Sequence, residues 1–149
     1  MSLFEQVSKD ITAAMKAKDK VRLEALRNIK KYFIEAKTAP GANDGLSDDV
    51  ALKIIIKLSK QGRDAEALYK EKGREDLAAE EAAQAAVIES YLPKQLTVEE
   101  LETEIKNIIG ETGASSMKDM GKVMGIASKR LAGKADGKAI SEVVKRLLA

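Results

Sequence analysis

The sequence predicts an all-α fold. Apolar residues recur at helical spacing in nearly every window, no stretch keeps strict apolar-polar alternation over a strand's length, and helix caps and glycine stops punctuate the chain. Leu3, Val7, Ile11 and Ala14 open the first amphipathic window, and Leu26, Ile29 and Phe33 form the second. The segment 39–45, APGANDG, gathers residues that fix or tolerate turn backbones, so it reads as a loop. Ser47 then offers an N-cap to a third helix with Val50, Ile54, Leu58, Ala65 and Leu68 on one stripe, ending near Gly73. Gly62 lies inside that helix, where it costs about 0.5–1 kcal/mol relative to alanine, and it predicts either an absorbed defect or a kink.

A fourth helix runs from Arg74 to Tyr91, with Glu75 and Asp76 at its positive end, and Pro93 stops it. Thr97 and Glu100 have the spacing of a capping box, with Leu96 and Leu101 as a hydrophobic staple. The helix they start carries Leu101, Ile105, Ile108 and Ile109 and ends at Gly110 or Gly113. Ser116 caps the next, with Met117, Met120, Met124, Ala127 and Leu131 as its expected core face. A last helix bears Ile140, Val143, Val144, Leu147 and Leu148 after the turn 133–137. These make about seven helices. Pro93 and Lys94 mark the expected division into an N-terminal helical domain, 1–93, and a three-helix C-terminal domain, 94–149.

Composition removes whole classes of chemistry. With neither Cys nor His, the chain has no disulfide or thiol chemistry, no imidazole-based triad, and only carboxylates for a zinc site, so no metal or cofactor is expected. Aliphatic runs such as Ile54–Ile56 are far too short to cross a bilayer, and the N-terminus lacks the basic-then-apolar order of a secretion signal. A cytoplasmic location is the expectation. The formal charge is only +2, but residues 1–40 sum to +4 and 41–93 to −4, while 113–149 hold eight basic and three acidic side chains.

On a wheel at about 100° per residue, Lys118, Lys122, Gly125 and Lys129 fall opposite the apolar stripe of their helix. Ammonium groups in a column, with bare backbone between them, suit a phosphate chain, and Lys134 and Lys138 extend the strip around the following turn. Lysines on a helix's outer face are also what any solvated helix carries, and Gly121-x-x-x-Gly125 equally suits a close helix crossing. Other sites fare worse. Ser115, Ser116 and Lys118 are neighbours at a helix start, where a capping serine accounts for them without a nucleophile. Glu80 and Glu81 lie about 100° apart on a helix, poor geometry for shared acid-base work. No G-x-x-x-x-G-K-[ST] loop occurs, and five aromatics argue against a stacking platform for single-stranded bases.

Three stretches together resemble a known family: Gly73-Arg74-Glu75-Asp76-Leu77, Tyr91-Leu92-Pro93-Lys94-Gln95-Leu96, and Gly113–Gly125 (GASSMKDMGKVMG) followed by Lys134-Ala135-Asp136-Gly137-Lys138. This pattern resembles the YqeY-like family across essentially the whole chain. The resemblance implies an all-helical N-terminal domain and a C-terminal domain similar to the tail of GatB, the subunit of an amidotransferase that converts misacylated Glu-tRNA or Asp-tRNA to the amide. It implies tRNA as partner, an accessory role in tRNA-dependent amidation, and Lys118, Gly121, Lys122, Gly125 and the 134–138 turn as the contact residues. The amide-ligase label of that context does not imply turnover here, since no catalytic constellation is visible. The rival reading is a module that docks on an enzyme complex without touching RNA.

Overall fold

A computed structural model describes residues 1–149 and is helical throughout, with no strand. The chain divides into two compact units, Met1–Leu92 and Pro93–Ala149.

The first unit contains α1 (Leu3–Ala17), α2 (Lys20–Lys37), α3 (Asp48–Glu71) and α4 (Glu75–Glu89). The break between α1 and α2 carries neither glycine nor proline. Lys18 takes a left-handed conformation, φ 56°, and the Asp19 carboxylate accepts from Arg22 N–H at 3.1 Å to start α2. Ser47 caps α3 as expected, accepting from Val50 N–H at 3.3 Å. At the other end of α3, Arg74 N–H donates to Tyr69 C=O and Gly73 N–H to Lys70 C=O, the paired bonds of a Schellman motif. Gly73, φ 73°, supplies the left-handed residue that this motif needs.

Helix α3 runs unbroken through Gly62, so the defect is absorbed. A Cβ at Gly62 would lie 3.2 Å from the Ala85 Cβ of α4, so the missing side chain is what lets the two helices approach. Arg63 then ties the pair together, donating to Glu89 on α4 and to Glu66 on its own helix, and its guanidinium holds the Glu89 carboxyl below the usual range. Phe33, Leu26, Ile29, Ile55 and Val7 are fully buried at the centre of this unit. Tyr91, beyond α4, donates its hydroxyl to Asp10 of α1 at 2.5 Å, and burial with that carboxylate pushes the phenol above its ordinary pKa.

The second unit contains α5 (Val98–Thr112), a single 3₁₀ turn (Met117–Asp119), α6 (Met120–Arg130) and α7 (Gly137–Leu148). The capping box forms: Glu100 N–H donates to the Thr97 hydroxyl and Thr97 N–H to the Glu100 carboxylate, both at 3.1 Å. Leu101 is buried and Leu96 packs on the same core. Gly113, left-handed at φ 68°, ends α5. Ile105, Ile108, Val123, Ala127, Leu131 and Val144 form the heart of this separate core.

One expectation fails here. The chain does not enter α6 directly from Ser116 but passes through the 3₁₀ turn, and Met117, expected in the core, is 47% exposed. Each 3₁₀ residue advances about 120° instead of about 100°, which rotates the first residues of the segment relative to the helix behind them. Val123 takes a fully buried place that the wheel did not assign it.

Candidate functional site

The strip begins where α5 hands over to α6. The Ser116 hydroxyl accepts from Lys118 N–H at 3.3 Å and the Asp119 carboxylate accepts from Ser115 N–H at 3.0 Å, which together fix the 3₁₀ turn bearing Lys118. On α6 Val123 and Ala127 are buried, as is Leu131 at its C-cap, while Gly121, Lys122, Gly125 and Lys129 are exposed, so the two faces separate as the wheel requires. Lys118, carried by the 3₁₀ turn, is also exposed but lies off the ideal column by the added rotation.

Lys134 stands in a turn clamped from the segment before α5. Gln95 donates its side-chain amide to Gly133 C=O at 2.5 Å, and Leu96 N–H donates to Lys134 C=O at 2.9 Å. Gly133 within it is buried and left-handed, φ 75°. These two hydrogen bonds anchor the turn, and Lys134 is exposed on it. Lys138 follows in the first turn of α7 and is likewise exposed.

Ion pairing in this unit divides its arginines from its lysines, of which Lys94, Lys106 and Lys145 are unpaired as well. Arg130 is paired with Glu111 and Arg146 with Glu102, whereas Lys118, Lys122, Lys129, Lys134 and Lys138 form no ion pair. From Gly113 to Ser141 the acids are only Asp119 and Asp136, and Asp119 is engaged with Ser115 N–H. The first turns of α6 and α7 carry Lys122 and Lys138, as that of α2 carries Lys20 and Arg22, and the carboxylate at each of these positive helix ends is the N-cap residue, Asp119, Asp136 and Asp19.

The glycines settle one alternative. A Cβ at Gly121 or Gly125 would meet nothing within 4 Å, so the G-x-x-x-G does not mark a helix crossing within this unit. Both positions are bare backbone facing solvent among free ammonium groups. Such a surface can receive a chain of phosphates at close range.

A family model described as Yqey-like protein matches residues 4–148. The chain belongs to the YqeY-like family. No curated protein matches it. The strip of this YqeY-like chain therefore has to be read from its own chemistry. No helix is long and apolar enough to cross a membrane, and no group of three or more Asp or Glu side chains is arranged to hold a metal ion.

Proposed function

We propose that this YqeY-like protein binds tRNA through Lys118, Lys122, Lys129, Lys134 and Lys138, with Gly121 and Gly125 letting the sugar-phosphate backbone come close to α6. The observation that carries the reading is the coincidence of five exposed, ion-pair-free lysines with two glycines that no packing contact requires. Recognition of this kind rests on the spacing of phosphates along a folded RNA and not on base sequence. In the amidation context that the resemblance to the GatB tail implies, the protein would hold the tRNA while a separate enzyme performs the ligation.

Replacing Lys118, Lys122 and Lys129 together with glutamate tests it. Filter binding or fluorescence anisotropy with tRNA should show affinity falling roughly tenfold or more, and the slope of log affinity against log salt shrinking by about 2 to 3, because each phosphate contact contributes about 0.7–0.9. Helical content should not change. An unaltered salt slope would exclude the strip. The rival reading has the same face docking on an enzyme complex without contacting RNA. A pull-down that retains the same protein partner after nuclease treatment, with no tRNA affinity for the pure chain, would favour that one.

A further inference from the structure

Away from the strip, helices α2, α3 and α4 line a half-open groove of about 170 Å³ that carries exposed Asn28 and Tyr32 from α2, exposed Gln61 from α3, and half-buried Glu81 and Gln84 from α4. Its floor is Leu58, Gly62, Ala85 and Ile88. None of the three side-chain amides forms a hydrogen bond within the protein, and Glu81 pairs with no cation. Lys31, next to Tyr32 on α2 and outside the lining, holds its ammonium 5.4 Å from the centroid of the Tyr32 ring and forms no ion pair. The groove is well below the ~300–1,000 Å³ of sites for larger ligands, so it has room for a single ring and its substituents.

We propose that this groove binds one nucleobase bearing an exocyclic amino group, with the attached phosphate at Lys31. Three primary amides supply both donors and acceptors, the complement of a base edge, and Tyr32 gives one wall for the flat ring. A single ring serves a single base. Glu81 decides which base. A carboxylate accepts from the amino group of cytosine, whereas uracil presents a carbonyl oxygen at that position and the two acceptors repel. The same carboxylate opposes a phosphate inside the groove, which places the phosphate outside, at Lys31. The inference does not depend on the tRNA reading of the C-terminal unit.

The test is a titration of the full chain with cytidine 5′-monophosphate, uridine 5′-monophosphate and cytidine, followed by NMR of the side-chain amides. Cytidine 5′-monophosphate should shift Asn28, Gln61 and Gln84 saturably and bind roughly tenfold more tightly than the uridine compound. Glu81→Gln should abolish that preference, and Lys31→Ala should abolish the advantage of cytidine 5′-monophosphate over cytidine. Both substitutions are at solvent-accessible positions, and dispersed amide spectra would verify that the variants are folded. The triple Lys→Glu variant of the strip should respond as the parent does, which separates failure of one site from failure of the other. Equal binding of the two nucleotides, or shifts that spare all three amides, would overturn the proposal.

Discussion

Glycines at 62 and 125 look alike in the sequence, each interrupting a helix, yet their surroundings give them opposite roles. At Gly62 an added Cβ would stand 3.2 Å from the Ala85 Cβ, which is fixed to the α4 backbone and 1% exposed, so relief requires the helices to part. Overpacking of about 1–3 kcal/mol then exceeds the ~0.5–1 kcal/mol gained from helix propensity, and Gly62→Ala should destabilise by about 1 kcal/mol in denaturant titration. At Gly125 the space is open, so only the propensity gain remains. Gly125→Ala should raise stability by about 0.5–1 kcal/mol and, on the tRNA reading, weaken RNA binding, a separation that thermal melts and anisotropy together would display. A sequence carries the identity of these glycines but not what lies opposite them, because that neighbour comes from another helix. For the same reason the Asn28, Gln61 and Glu81 groove was invisible: three helices far apart in sequence assemble it.

Helix boundaries were legible where a side chain makes the cap and obscure where backbone conformation alone does. Thr97 with Glu100, and Ser47, announce their helices because the capping oxygen lies at fixed sequence spacing. Lys18 gives no such signal, since its left-handed φ of 56° comes without glycine, in a Schellman motif closed by Asp19 N–H to Ala14 C=O and Lys18 N–H to Met15 C=O. The Met117 misplacement has a similar origin: one 3₁₀ turn, too short to show as periodicity, shifts the register ahead of α6. The capping box also makes the second unit acid-sensitive. Thr97 N–H, and then the Thr97 hydroxyl, hold the Glu100 carboxyl below its ordinary pKa in the folded chain. A depressed folded-state value means that its stabilisation is complete above the unfolded value and fades as pH falls through the folded one. Glu100→Gln should therefore flatten the fall in melting temperature of the second unit below about pH 5 while leaving the neutral-pH fold intact, and Thr97→Ala should cost about 1 kcal/mol at neutral pH.

At the scale of the molecule, a net charge of +2 conceals two chemically different units, each with its own core. The clusters centred on Phe33 and on Ile105 share no residue. The second unit, Pro93–Ala149, is smaller than the ~70–80 residues below which a single core rarely supplies more than about 3–5 kcal/mol. Ile105 is fully buried in it, and truncating an isoleucine of this kind to alanine costs about 2–5 kcal/mol, comparable with everything that core provides. Ile105→Ala should therefore collapse the NMR dispersion of residues 93–149 while the resonances of 1–92 persist. With the scaffold of the lysine strip gone, tRNA binding should vanish, and the cytidine 5′-monophosphate response at Asn28 and Gln84 should survive. Loss of both sets of resonances in one step would instead mean that the two cores stabilise one another, and that neither the strip nor the groove can be removed without the other.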